Sequence, residues 1–206
     1  MRAKSEDASN GSATAWATLA GEPLLVIGPQ QVIDFWFAEG MDKRWFRSTE
    51  VLDSEIRERF QSLWQRAASG EFEEWASDAE GALALVIVLD QFPLNMFRDE
   101  ARSFSTEARA VAVTRNAIAK GLDQQLAGDH KAFLYMPLMH SEDLMHQDQA
   151  VRLFEAAGLA SNARFAYHHR ELIRRFGRFP HRNKALGRAS TPEELGYLAS
   201  KEAFTG

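Results

Sequence analysis

The chain has 206 residues, a formal net charge of −5 and no cysteine. The lack of cysteine excludes disulfides, thiolate metal sites and a cysteine nucleophile, and it suits a reducing cytoplasm, where we expect the protein to work. The acidic balance is unlike that of proteins whose whole surface binds nucleic acid or anionic lipid. No apolar run approaches the roughly 18–20 residues that cross a bilayer, so we expect no membrane partner. The acidic net charge disfavours nucleic acid as a partner.

The N-terminal part of the chain differs in composition from the rest. Ala, Ser, Thr and Gly dominate residues 1–22, without the apolar core of a secretory signal. We therefore expect residues 1–27 to form a flexible N-terminal leader and residues 28–206 to form one domain.

Helix signals follow one another from Gly28 onwards. Gly28-Pro29 is typical of a helix start, and residues 49–68 carry apolar side chains at steps of three and four before Gly70. Ser77-Asp78-Ala79-Glu80 resembles a capping box that begins a buried helix, which Phe92-Pro93 should end. Later signals predict a helix from Glu107, a short helix broken by Pro137, and helices capped by Ser141, Ser161 and Thr191.

These segments predict an all-α fold of about seven to nine helices joined by short loops. No segment shows the alternating pattern of a half-buried strand, and no repeat of the period found in helical repeat proteins is evident. Helices of this length must pack in pairs, or as a superhelical array, around one core.

The first stretch with chemical detail runs from Asp90 to Arg98. Asp90 shares a helical face with apolar residues near the expected end of the buried helix, where both burial and the helix dipole disfavour a carboxylate. It should therefore have a cationic or hydrogen-bonding partner, for which Arg98 or a C-terminal Arg or His is a candidate. Two interpretations remain open, a structural ion pair that fixes a helix end and a ligand-binding or catalytic carboxylate.

The second stretch contains His140, Ser141, Glu142 and Asp143. Serine followed by two acids is typical of a helix start, which is the simplest interpretation. A carboxylate–imidazole pair with His146 is the alternative, but it would be only half a metal site. The zinc and di-iron helix motifs are absent, so we expect no metal and no cofactor.

The third stretch is strongly basic. Between Arg164 and Arg188 there are seven arginines and Lys184 against Glu171, a local excess of +7. Such a segment suits the recognition of carboxylate or phosphate, although a solvated basic helix partly neutralised by acidic helices is the competing interpretation. His169 lies on the apolar face of its helix and should point inward, as a core histidine or as a proton-transfer group.

Together these stretches resemble the family catalogued as domain of unknown function 924. The resemblance rests on Asp90-Gln91-Phe92-Pro-x-Asn95-x-Phe97-Arg98, on Tyr135-Met136-Pro137-x-Met139-His140-Ser141-Glu142, and on Phe176-Gly177-Arg178-Phe179-Pro180-His181-Arg182-Asn183. Val32-x-Asp34-Phe35-Trp36-Phe37 and Arg44-Trp45-Phe46 extend it to about residues 31–197. The resemblance implies a bacterial protein with a tetratricopeptide-like α-α superhelix, and it implies no established activity.

We expect the three stretches to meet in a polar pocket that binds a small anionic or polar ligand. His169, His181 and Asp90 are the candidate catalytic residues for acid–base hydrolysis, with Asp90 orienting an imidazole or an arginine. The candidate ligand-binding residues are Gln91, Asn95, Arg98, His140, Glu142, Arg178, Arg182 and Asn183. The alternative function is a scaffold whose basic groove binds acidic peptides or protein partners; the sequence does not indicate an oligomeric state.

Overall fold

The computed structural model describes residues 17–19, 22–24, 27–47 and 49–203. Most of the predicted leader therefore lies outside the described residues. Within it, two short strands, β1 (Ala17–Leu19) and β2 (Glu22–Leu24), pair in an antiparallel register. All other regular structure in the described residues is helical, which confirms the all-α fold class.

The described residues contain nine α-helical segments, two of which join into one rod. The segments are α1 (Pro29–Trp36), α2 (Glu50–Ser69), α3 (Ala79–Val86), α4 (Phe92–Met96), α5 (Glu107–Ala119), α6 (Gly128–His140), α7 (Leu144–Ala156), α8 (Ala160–Phe176) and α9 (Pro192–Leu198). Consecutive helices from α5 to α8 pack against each other, as expected for an array of helix pairs.

The rod formed by α3 and α4 lies at the centre of the fold. It is continuous because a π-helical turn, Ile87–Gln91, joins the two segments, and its residues are almost all buried. α3 packs against α1, α5 and α6, while α4 packs against α2. By length and hydropathy the span Ala79–Met96 could cross a membrane, but 89% of it is buried inside the helical body.

Pro93 does not end this rod, contrary to the sequence-based prediction. A proline inside a helix cannot donate a bond to the carbonyl four residues earlier, and its ring pushes that carbonyl away. That carbonyl belongs to Leu89, and it accepts a hydrogen bond from the Thr106 hydroxyl instead. The wider π turn accommodates the proline in the same place, so Asp90 lies within a continuous helix and not at its end.

Other predicted helix boundaries are also corrected. α3 is capped by Asp78, which accepts from the Gly81 amide, and α7 is capped by Asp143 and not by Ser141. α8 begins after Leu159, before Ser161, and α6 passes through Pro137 to His140. The capping box at Thr191 is confirmed. At α3 and α7 several adjacent polar residues could cap, and tertiary packing selects one of them.

Gly81 allows the segment before α3 to lie against the helix. A Cβ at this position would overlap the carbonyl oxygen of Trp75. We expect Gly81→Ala to reduce the free energy of unfolding by about 1–3 kcal/mol, as overpacking does elsewhere. Urea denaturation measures this change.

Gly196→Ala is the matched control, because a Cβ at Gly196 in α9 meets no atom within 4 Å. This substitution should be neutral or stabilising by less than about 1 kcal/mol, since alanine is the better helix former. Equal effects of the two substitutions would contradict the packing role given to Gly81.

Candidate functional site

A buried aspartate and a histidine from distant helices form the centre of the site. Asp90 lies in the π turn and its side chain is 3% exposed, while His140 is the last residue of α6 and its side chain is 18% exposed. His140 Nδ1 lies 3.0 Å from both carboxylate oxygens of Asp90. Because a carboxylate only accepts, Nδ1 carries the proton and Nε2 is left as the basic nitrogen of the neutral ring.

Glu107 and Arg182 lie beside this pair. Glu107 is the first residue of α5, and its Oε2 accepts a 2.7 Å bond from Arg182 Nη1. Arg182 Nη2 donates to the carbonyl of His140 at 2.8 Å, and the guanidinium group is stacked between the rings of Phe104 and Phe179. We call Asp90, Glu107, His140 and Arg182 the cavity cluster.

The four residues of the cavity cluster line one small cavity. Its volume of about 10 Å³ is close to the space that one water molecule needs. Leu89, Leu94 and Phe104 supply most of the apolar wall, and Ser103 completes the lining. A buried, polar space of this kind can hold a water molecule against groups that exchange protons, but it is far smaller than a typical ligand pocket.

The helix ends favour the charges of the cavity cluster. Glu107 lies at the N-terminus of α5 and His140 at the C-terminus of α6, which are the ends that stabilise an anion and a cation respectively. Burial nevertheless raises the pKa of Glu107, and Arg182 offsets only part of this effect. The negative charge of nearby Asp90 also raises the pKa of Glu107, whereas His140 lowers it.

Glu142 has a different role from the one expected of it. Its two oxygens accept the forked guanidinium of Arg188 at 2.7 and 2.9 Å, and Oε1 also accepts from the amide of Phe179. These donors outweigh burial and lower the pKa of Glu142. Glu142 therefore holds the segment after α8 against the start of α7.

Arg178 and Asn183 belong to the same kind of arrangement. Arg178 forks onto the buried carboxylate of Glu194 at 2.7 and 2.9 Å, and Asn183 Nδ2 donates to Glu194 Oε2. Asn183 Oδ1 in turn accepts from Arg188. We call Glu142, Arg178, Asn183, Arg188 and Glu194 the clamp, because together they tie the loop between α8 and α9 to the helical body.

The structure does not favour His169 or His181 as the proton-transfer group. His169 is buried on α8, where its Nδ1 bonds to the carbonyl of Phe165, and burial lowers its pKa to about 3. Burial, followed by the positive charge of Arg182, lowers the pKa of His181 to about 4. Both rings lie next to Phe179, and the imidazole that contacts Asp90 is that of His140.

The remaining predicted residues lie at or near the π turn. Gln91 Nε2 donates to Asp90 Oδ2 at 2.6 Å, and Asn95 Nδ2 donates to the carbonyl of Gln91. Arg98 pairs with Asp53 on α2, at 3.1 Å, so the expected bond between Arg98 and Asp90 does not form. Gln91 thus supports the buried carboxylate, while Asn95 and Arg98 fix the end of the rod.

The basic stretch is largely neutralised by acids from other elements. Arg170 and Arg174 pair with Asp148, and Arg175 pairs with Glu193. Arg178, Arg182 and Arg188 pair with Glu194, Glu107 and Glu142. The local excess of charge is therefore a property of the sequence segment and not of the folded surface, as the competing interpretation expected.

Sequence reasoning missed three acids that complete these contacts. Glu107 and Asp53 occupy ordinary positions in the first turn of a helix, and Glu194 belongs to a capping box. Glu107 lies 75 residues from its partner Arg182. The only available signal was the capping box at Thr191, which identified Glu194 as a structural residue but not as the partner of Arg178.

No metal site is evident in the part of the chain that the structure describes. Within residues 27–47 and 49–203, no group of three or more His, Cys, Asp or Glu side chains is arranged to hold a metal ion. The cavity cluster offers two carboxylates and one imidazole. Both carboxylates and the Nδ1 of that imidazole are engaged with protein groups.

Comparisons with known proteins found one family model and one solved structure that this chain resembles. The model of a family described as "Bacterial protein of unknown function (DUF924)" matches residues 32–202. The solved structure of the protein of unknown function ATU0120 from Agrobacterium tumefaciens is 39% identical, with a TM-score of 0.79 over 83% of this chain and 96% of that one. No curated protein matches the chain.

The clamp should make folding stability depend on pH in the acidic range. Arg178 lowers the pKa of Glu194 from 4.5 to about 2. The stabilisation is therefore complete above the ordinary value and is lost as the pH falls towards the folded value. We expect Glu194→Gln to lose less stability than the wild type between about pH 6 and pH 3, measured by urea denaturation.

Glu193→Gln provides the control, because Glu193 is an exposed neighbour whose ion pair with Arg175 lies at the surface. Its stability should follow the wild-type pH dependence closely, since exposed pairs contribute little. If Glu194→Gln showed the full wild-type loss, the acid sensitivity would come from other groups.

Proposed function

Since the chain belongs to this family of bacterial proteins of unknown function, we propose its function from the cavity cluster alone: hydrolysis of a small polar or anionic molecule with His140 as general base. The observation that carries the proposal is the buried Asp90 carboxylate, which holds Nδ1 of a partly exposed imidazole at 3.0 Å. Burying an ionised aspartate costs free energy unless the carboxylate is paired and hydrogen-bonded.

Asp90 gives His140 the tautomer that a general base needs. The hydrogen bond that Nδ1–H donates to the carboxylate leaves Nε2 able to accept a proton, and the carboxylate stabilises the imidazolium that results. Gln91 Nε2, which donates to the same carboxylate, fixes its orientation. Asp90 and Gln91 are therefore positioning residues, and His140 is the catalytic residue of the proposal.

The cavity supplies the second part of the proposal. It has room for about one water molecule beside His140, and Arg182 Nε is buried with no acceptor among the described residues. The cavity has no room for the substrate as well, so in this proposal the substrate lies at the exposed part of His140. A water molecule held in the cavity would lose a proton to His140 Nε2 as it attacks the substrate. Burial raises the pKa of Glu107, which makes its carboxylate easier to protonate and suits a role in proton transfer to the leaving group.

The superhelical fold type, the cellular location and a basic peptide-binding groove remain further proposals. A tetratricopeptide-like superhelix and a cytoplasmic location agree with the helical array and with the lack of cysteine. A basic groove for acidic peptides receives less support, because six arginines of the basic stretch pair with carboxylates of the chain itself. Anion recognition by Arg178 is disfavoured for the same reason.

The proposal predicts a loss of hydrolysis when the pair is broken. With p-nitrophenyl esters, phosphates and glycosides as probes, we expect His140→Gln and Asp90→Asn to reduce the rate by about 100-fold or more, the usual contribution of a general base. Product release is followed by absorbance. Nitrogen NMR of the wild-type protein should show His140 with a protonated Nδ1 and an unprotonated Nε2.

His130→Gln is the matched control, because His130 is half-buried against the ring of Phe37 and does not line the cavity. Its rate should equal that of the wild type. Hydrolysis at the background rate by the wild type for every probe, or equal rates in all four proteins, would count against the hydrolytic function.

A further inference from the structure

A second, larger cleft lies between α1, the turn that follows it, and α2. Its volume is about 510 Å³, within the range of small-molecule sites. The cleft shares no lining residue with the cavity cluster. The side chains of Phe35 and Met41 are buried and form an apolar part of its lining.

One side of the cleft carries two guanidinium groups that share a single carboxylate. Arg59 lies 3.2 Å from Glu55 and Arg44 lies 3.8 Å from it. Arg59 also stacks over the ring of Phe35, with its guanidinium carbon 4.5 Å from the ring centre. One acid cannot neutralise two arginines, so this side keeps positive charge and a guanidinium fork suited to a carboxylate.

Two other lining residues of the cleft carry negative charge. Asp34 and Glu39 are exposed, and no cation of the described residues pairs with either of them. Asp34 Oδ1 accepts from Gln30, a neutral amide. The C-terminal end of α1, which lies between them, adds the partial negative charge of its carbonyls.

We propose that this cleft binds a small zwitterion of the amino-acid or short-peptide type. The ligand carboxylate would bind Arg44 and Arg59, and its ammonium group would bind Asp34 and Glu39. Three carboxylates against two guanidinium groups leave the lining with a net charge of −1, which disfavours a purely anionic ligand. The two arginines of the lining disfavour a purely cationic one.

The proposal does not depend on hydrolysis at the cavity cluster. It requires only that charges of both signs lie on the walls of a cleft of ligand size, with an apolar surface between them. The charged side chains of the lining are exposed or half-exposed, so their substitution should change ligand binding more than the stability of the fold.

The test uses glycine and triglycine as probes, together with N-acetyl-triglycine and triglycinamide, which each lack one charge. Binding is followed by NMR shifts of the backbone amides of Phe35, Gly40 and Arg44 on the full chain. We expect triglycine or glycine to bind at millimolar concentration and the two singly charged peptides to bind on the order of 10-fold more weakly.

Variants locate the site. Arg44→Gln and Asp34→Asn should each weaken binding of the zwitterion on the order of 10-fold, whereas Arg152→Gln, at an exposed arginine of α7, should bind as the wild type does. If the singly charged peptides bound as tightly as triglycine, or if neither glycine nor triglycine shifted these amides, the proposal would be overturned.

Discussion

The buried carboxylate of Asp90 is the constraint on which the arrangement of the site depends. A carboxylate with 3% of its surface exposed needs donors, and the local chain supplies only Gln91. The second donor, His140, comes from 50 residues later in the chain, so the end of α6 must meet the π turn of the central rod. Arg182 then binds the carbonyl of that same histidine, which places the segment after α8 over the cavity.

The π turn is what makes Asp90 available at the middle of a buried helix. A regular helix through Pro93 would leave the carbonyl of Leu89 in conflict with the proline ring. The turn removes the conflict, and Thr106 satisfies the carbonyl from the segment before α5. The same segment therefore brings Glu107, the residue directly after Thr106, to the cavity beside Asp90.

The polar residues of the three sequence stretches divide into two groups with different roles. Asp90, His140 and Arg182 surround a cavity, whereas Glu142, Arg178 and Asn183 are engaged with Arg188 and Glu194 in the clamp. The clamp holds the loop that carries Arg182, so its ion pairs maintain the geometry of the cavity without reaching it. Residue type does not distinguish these roles, because a carboxylate that binds arginine and one that orients histidine have the same chemistry.

Much of this protein could be predicted from the sequence alone. Helical periodicity, the Gly70 stop and the Thr191 capping box gave the all-α class, and the burial expected at Asp90 predicted that it needs a partner. These features depend on neighbours within a few residues, where spacing determines contact. The partners themselves were decided by the tertiary structure: His140 for Asp90, Glu107 for Arg182 and Asp53 for Arg98. Such pairs join residues 45 to 75 positions apart, and only the packing of whole helices determines which charges meet.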